Sequence, residues 1–396
     1  MKAVTGRHPA SERIALIWDL GAGNAHAVKL ERLAQALQAR GHRPLLLARN
    51  LRAVHGTACA LSLPLLQAPH NDWFPDRHAP ASHADIWWNE VGLHDAVQTA
   101  ALFAAWLHLL ETLDCSRVIA EGAPLAIAAA RKLGLPTAAY GTGFMLPPGP
   151  PWPRFRDWEA VDDARLAERE TQMSEHLAAV GTRPEHLRAE REALLTWPAF
   201  DHFPQRQGGD YFGPLGASGA QRPRWLGRRP RVFAYLHGHY PQLAPVLEAL
   251  GALGADTLLV ISGKGCNAMP DGVRRADGML DLDETLRGCD LVVSHAGNLV
   301  ISAAAAGKPL LVLPLQAEQF ITARRVCALG IGLSITAGID APDYALAIER
   351  LLTDPAFATA ARNFAQALPQ WDRAQQLHAI LDHLLAPAVH APPQVP

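Results

Sequence analysis

The chain alternates short, wholly apolar runs with amphipathic stretches, and it does so twice over. Arg13-Ile-Ala-Leu-Ile-Trp18 is the first such run, and it ends at Asp19-Leu-Gly-Ala-Gly-Asn24. An apolar run without polar alternation suits a strand buried on both faces, which is the mark of a parallel sheet. Ala27–Arg40 then sets Val28, Leu30, Leu33 and Leu37 at helical spacing. Gly41 closes that helix, as glycine commonly does just past a helix end. Pro44-Leu-Leu-Leu-Ala48 follows as a second strand. Strand, glycine turn, helix and strand together form one βαβ unit.

The plan continues. A helical stretch reaches Leu113, Arg117–Glu121 reads as a strand, Pro124–Leu133 as an alanine-rich helix and Leu135–Tyr140 as the next strand. Residues 69–90 read as a long loop with aromatic content, residues 141–153 break regular structure, and charged helices fill 157–196. A Gly/Pro/Arg-rich segment over 213–230 reads as a linker. A second series then begins with strand Arg231–Leu236, helix Pro241–Leu253 and strand Thr257–Ile261. Strand Asp290–Ser294, helix Leu299–Ala306 and strand Pro309–Leu313 complete it. A length of 396 residues favours two or three domains. Two halves on one alternating plan predict two Rossmann-like domains with a cleft between them. The expected bounds are 1–214 for the first, 215–230 for the linker, 231–385 for the second, and a disordered tail over 386–396.

Composition narrows the functional classes. Lys plus Arg is 36 and Asp plus Glu is 38, a formal charge of −2. That balance supplies no global field for nucleic acid or an anionic membrane. Five cysteines are scattered without a CxxC pair, which fits neither a disulfide scaffold nor a zinc framework and suits a reducing cytoplasm. Arg7, His8, Glu12 and Arg13 interrupt the first 25 residues, so no signal-peptide core is expected, and no apolar stretch is long enough for a membrane span. A cytoplasmic, multi-domain protein is the expectation.

The most informative segment is Ser294-His-Ala-Gly-Asn-Leu-Val-Ile-Ser-Ala-Ala-Ala-Ala-Gly-Lys-Pro309 with Pro314-Leu-Gln-Ala-Glu-Gln319. A strand ends at His295, a small-residue turn follows and a helix starts. Free N–H groups at a helix N-terminus make a phosphate site, and His295 and Asn298 add side-chain donors. Glu318 and Gln319 place an acid beside an amide, a pair suited to adjacent sugar hydroxyls. This region resembles the donor-site signature of the GT-B nucleotide-sugar glycosyltransferases, specifically glycosyltransferase family 1. The family pattern of His-x-Gly, helix, Gly-x-Pro, strand and Pro-x-x-x-(Asp/Glu)-Gln is met by His295, Gly297, Gly307, Pro309, Pro314, Glu318 and Gln319. The resemblance implies that His295 contacts the donor diphosphate and that Glu318 and Gln319 hold the donor sugar. Where the family usually has Ser or Thr three residues after the glycine, this chain has Val300, which leaves Asn298 or Ser302 to compensate or donor binding weakened or altered.

The N-terminal Leu20-Gly-Ala-Gly-Asn-Ala-His26 is similar to the family's glycine-rich loop with its catalytic histidine. As a dinucleotide motif it fails, because Gly21 and Gly23 are followed by His26 at the third position. A neutral imidazole at a helix N-terminus can take a proton from an acceptor hydroxyl, and the helix dipole disfavours the imidazolium. Family members often pair that base with an acid some hundred residues downstream. Glu121, at a strand end, is the candidate, with Asp19 and Asp114 as competitors. The implied fold is therefore α/β of the GT-B type, with two Rossmann-like doubly wound domains facing an interdomain cleft.

Other features are assigned accordingly. Trp73, Trp87 and Trp88, with Phe144 from the Gly141-Thr-Gly-Phe144 turn, are read as an apolar wall for the acceptor. His70, Asp72, Asp76, His78, His83, Asp85 and His94 are metal-ligand types at spacings that match no zinc motif, so no metal site is expected. Arg222, Arg224, Arg228, Arg229 and Arg231 read as a solvated basic run, and His237, in His237-Gly-His239 after a strand, as a donor-phosphate contact. The expected reaction is inverting transfer of a sugar from a nucleoside-diphosphate sugar to a hydroxyl or other nucleophile of a partly apolar small-molecule acceptor, with His26 as general base. No cofactor is needed beyond the sugar nucleotide as co-substrate. The alternatives are a non-catalytic sugar-nucleotide-binding or auxiliary protein and a GT-B nucleotide-sugar epimerase.

Overall fold

The computed structural model describes residues 11–21, 24–75, 79–156, 160–216, 219, 221–227, 230–263, 269–276, 278–336, 338, 342–369 and 372–387. Gly23, Asp76, His78, Arg228, Arg229 and the tail beyond residue 387 lie outside them. The described residues form two compact units, one from 1–195, 205–212 and 372–396, the other from 196–204 and 213–371.

The first unit runs β1 (Arg13–Trp18), α1 (Asn24–Ala39), β2 (Arg43–Ala48), α2 (Leu51–Leu61), β3 (Leu65–Gln67), α3 (His83–Asn89) and α4 (Ala96–Thr112). It continues with β4 (Arg117–Glu121), α5 (Pro124–Lys132), β5 (Thr137–Gly141), α6 (Asp163–Ala179), β6 (Arg191–Leu194) and β7 (Asp210–Tyr211). The seven strands are all parallel, in the order β3-β2-β1-β4-β5-β6-β7. The strand order reverses between β1 and β4, and the crevice at the carboxyl ends of such strands is where open α/β sheets bind ligands. The central strands are buried apart from Arg13 at the start of β1, which explains the apolar residues at their centres.

The second unit repeats the scheme with β8 (Arg231–His237), α7 (Leu243–Ala252), β9 (Asp256–Ser262), β10 (Val273–Arg275), α8 (Leu282–Gly288), β11 (Leu291–Ser294) and α9 (Asn298–Ala305). Then follow β12 (Leu310–Val312), α10 (Ala317–Ala328), β13 (Gly332–Ser334), α11 (Tyr344–Thr353) and α12 (Pro355–Ala367). Its six parallel strands lie in the order β10-β9-β8-β11-β12-β13, again reversing at the first strand of the series. Successive residues of these strands serve opposite faces. Val232, Ala234, Leu236, Leu291 and Val293 pack with α7 and α11, whereas Phe233, Val292, Leu310 and Val312 pack with α9, α10 and α12. Two parallel-sheet α/β units of this kind are the fold class expected from the alternating runs.

Several local readings differ. The loop expected over 69–90 contains α3, started by Ser82, whose hydroxyl accepts from Ala84 N, and held by buried Ile86 and Trp87. The expected helices over 157–196 are one helix, α6, then a 3₁₀ turn and strand β6; Gly181 and Pro184 stop the helix. The segment read as a linker is attached to the second unit: Gln221 pairs with Leu280, Trp225 packs against its core, and Leu226 N donates to Asp256 Oδ2. The last helix, α13 (Arg373–Leu385), was expected at the end of the second domain but groups with the first unit. Gln376 Nε2 donates to Phe212 O at 2.7 Å, Arg117 Nη1 donates to Leu384 O at 3.3 Å, and Ile380, Leu381 and Leu384 are fully buried.

Leu381→Ala should therefore destabilise the first unit by about 2–5 kcal/mol, the usual cost of such a truncation. Hydrogen exchange checks this: amides of β6 and α1 should exchange faster, while those of β8 and β9 should not change. Acceleration in β8 and β9 instead would contradict the assignment of α13.

Candidate active site

In the first unit, β1 leads through Asp19–Gly21 to α1, and β4 ends at Glu121. The register sets Trp18 beside Glu121 on neighbouring strands, and Leu20 N extends the ladder to Gly122 O at 2.9 Å. This is the switch point of the sheet. The Trp18 and His26 rings stack with centroids 5.2 Å apart and an interplanar angle of 16°. His26 Nδ1 lies 3.0 Å from Glu121 Oε1, at ion-pair distance but not aligned as a hydrogen bond. Lys29, one helical turn on, reaches the same Oε1 with Nζ. Glu121 is 0% exposed. Burial pushes its carboxyl up, but the Lys29 cation and His26 outweigh that and hold it below the ordinary carboxylate range.

The other ring nitrogen explains the glycine before the helix. Gly21 has φ +89°, and a Cβ there would stand 2.5 Å from His26 Nε2. Glycine is the residue that takes this backbone without strain and sets no side chain against Nε2. The competing acids do not meet His26. Asp19 is held up to about 7 by burial, relieved by Arg49 and reinforced by Glu90, and Asp114 sits in a left-handed turn after α4.

The expected acceptor wall divides. Trp87 is 4% exposed and packs edge-on against Trp152 at 4.5 Å, so it is core rather than wall. Trp73 is 59% exposed and meets His94 edge-on, and Trp88 is half-buried under the Arg169 guanidinium. Phe144 follows β5, half-buried, with His83 and Phe155 against it; His83 Nε2 is 2.6 Å from Phe144 O. Phe74, which the sequence reading passed over, is exposed beside Trp73, with Arg49 over its ring. The histidines of this region bind separate carbonyls, His70 that of Ala68 and His94 that of Trp88. Among the described residues no group of three His, Cys, Asp or Glu is placed to hold a metal ion.

In the second unit the switch point lies between β8 and β11. His237 ends β8 and His295 follows β11, with their rings stacked at 4.7 Å and 3°. His295 is 2% exposed. Its Nδ1 donates to Leu313 O at 2.7 Å, and its Nε2 accepts from His237 N at 2.9 Å. Both nitrogens are thus committed to backbone, in the neutral form, and neither is a free donor for a diphosphate. Burial and the neighbouring His237 and His239 push its pKa down to about 4, against the Leu313 carbonyl. Its work here is to tie the ends of β8, β11 and β12 together.

What faces outward lies around it. Ala296 takes the left-handed backbone at φ 54°, Gly297 is exposed, and among the described residues no side chain caps α9, whose first N–H groups lack partners within the helix. Asn298 is half-buried beside them. Val300 is fully buried in the core and offers no donor at that position. His237 sets Nδ1 on Ser262 Oγ, and exposed His239 stacks on it at 5.2 Å. Gln319 Oε1 accepts from Leu315 N at 2.7 Å and so fixes the turn into α10. Glu318 is partly exposed, with Oε1 3.9 Å from His202 Nε2. His202 and Ser262 were not anticipated; they come from segments whose sequence carries no signature.

The model of the erythromycin biosynthesis protein CIII-like C-terminal domain matches residues 244–371. The chain is 29% identical over 344 residues to L-demethylnoviosyl transferase of Streptomyces niveus, covering 80% of this chain and 84% of that one. The structure is similar to that of the calicheamicin glycosyltransferase CalG4, with a TM-score of 0.72 at 18% identity over 96% of this chain and all of that one. It is also similar to glycosyltransferase VinC in complex with dTDP, with a TM-score of 0.65 at 20% identity over 93% and 98% of the two chains. Together these matches support a GT-B nucleotide-sugar glycosyltransferase. Among the described residues no helix is long and apolar enough to cross a membrane.

The neutral His295 has a consequence for stability. Unfolded, it binds a proton near pH 6.5; folded, it resists protonation down to about 4. The unfolded chain therefore binds more protons between those values, and stability falls as pH drops through that window. Urea unfolding of the second unit at pH 7 and pH 4.5 should show this loss, and His295→Gln should show less of it. An equal loss in the variant would contradict the assignment.

Proposed function

Starting from a glycosyltransferase of the natural-product type, we propose that the chain transfers a sugar from a nucleoside-diphosphate sugar to a hydroxyl of a partly apolar small molecule, with inversion. The observation that carries this is the His26–Glu121 contact, with Gly21 setting no side chain against Nε2. The acceptor hydroxyl gives its proton to Nε2. Its oxygen forms the bond to the anomeric carbon, while the bond from that carbon to the diphosphate breaks and the diphosphate leaves with the electron pair. Glu121 stabilises the imidazolium so formed.

The second unit would meet the leaving diphosphate with the first N–H groups of α9, Asn298, His237 and His239. Such donors stabilise the charge that develops in the transition state, so no metal ion is assigned to that task. Glu318 and Gln319 would hold the sugar hydroxyls, Glu318 as acceptor and the Gln319 amide nitrogen as donor. A thymidine or uridine diphosphate sugar is the first candidate donor; the complex of VinC with dTDP supports the former. Exposed Trp73 and half-buried Trp88 and Phe144 would line the acceptor side of the first unit.

Transfer is tested with dTDP- and UDP-sugars against a panel of phenolic and polyketide-type acceptors, read by mass spectrometry. His26→Ala should lose about 10²–10⁴-fold in kcat, the usual contribution of a positioned base. The melting-temperature rise given by the donor should remain. Undiminished turnover in His26→Ala would overturn the assignment. Gly21→Ala should lose turnover likewise, since its methyl group would stand against Nε2, and retained activity there would contradict the role given to Nε2.

A further inference from the structure

Glu121 has two partners where a catalytic pair needs one. Lys29 lies three residues after His26 on α1, on the same helix face, and it is 3% exposed. An ammonium is strongly hydrated, and burying one requires an anion in exchange. Both Lys29 Nζ and His26 Nδ1 approach Oε1, while Oε2 is buried without a hydrogen-bond partner among the described residues. A leucine at position 29 would fill the space under α1 without this arrangement.

We propose that Lys29 is a positioning residue that sets the pH range over which His26 can accept a proton, by sharing Glu121 Oε1 with it. This rests on the reading of His26 as the base. Lys29 keeps Glu121 ionised in a site that excludes water. Its fixed positive charge beside Nδ1 opposes the imidazolium that the carboxylate would otherwise favour. A histidine paired with a buried carboxylate alone would hold its proton more firmly, so less of it would be neutral at a given pH. The other ionisable groups here do not replace Lys29. Tyr140, on β5, stays a neutral phenol because burial and the Glu121 charge push it well up. Asp19, just after β1, is pushed up to about 7 by burial, with Arg49 opposing and Glu90 adding to the rise.

The test is a titration of the His26 ring by NMR in the full chain, without substrate, with the signal assigned by its loss in His26→Ala. In Lys29→Met the His26 midpoint should rise by about one pH unit or more, the usual effect of a neighbouring charge. The acid limb of the transfer rate should rise with it, whereas Lys29→Arg should keep the wild-type midpoint. An unmoved midpoint in Lys29→Met would overturn the proposal, even if the variant were less stable or slower. Should Lys29→Met not fold, Lys29→Gln is titrated in its place, which keeps Glu121 and a polar group beside it. Its midpoint should again lie higher than that of the wild type, and an unmoved midpoint would overturn the proposal. A midpoint that moves while His26→Ala leaves transfer intact would keep the charge coupling and discard the base.

Discussion

A carboxylate with no exposure to water must be paired, and Glu121 sets much of the first unit by that requirement. It stands at the carboxyl end of β4, where the sheet reverses its order, and its partners come from the helix that leaves β1. The connection between β1 and α1 must be short and tight enough to bring His26 and Lys29 down onto one oxygen. Gly21, in a backbone that disfavours other residues, makes that turn. Trp18, level with Glu121 in the ladder, then fixes the plane of the imidazole. The glycine turn, the ring stacking and the ion pair thus meet at one buried charge.

The second unit uses the same point of the same topology with the opposite electrostatics. His295 is buried, neutral and fully hydrogen-bonded to backbone. It carries no charge that needs a counter-ion, and it leaves the region beside α9 to the first N–H groups of that helix and the outer histidines. A sheet of this type offers donors at its carboxyl edge without any specialised side chain. The chemistry then depends on which side chain the loop brings there: an anion-paired imidazole in one unit, an imidazole locked into the backbone in the other.

Much of this was legible in the residues. Runs such as Arg13–Trp18 and Leu291–Ser294 announce buried parallel strands because both faces are covered; His26 is singled out by the family resemblance, and Glu121 by its strand end, where Asp19 and Asp114 competed with it. Lys29 escaped notice because a lysine on an amphipathic helix ordinarily points to water, and its burial depends on a residue 92 positions away. Trp87 was misplaced because sequence does not distinguish a tryptophan that lines a site from one that packs under it; its partner is Trp152, in a segment that reads as irregular. His295 was read as a phosphate donor, yet its nitrogens meet Leu313 and His237, contacts that register and loop geometry decide. Helix α13 was assigned by position along the chain, whereas packing of Leu381 and Leu384 assigns it to the first unit.

The central claim is a single displacement assisted by the His26–Glu121 pair. The anomeric configuration of the freshly formed product, read by proton NMR against that of the donor, tests it most directly. Direct attack by a deprotonated acceptor predicts the opposite configuration. A product that retains the donor's configuration would require a different route and would contradict the account.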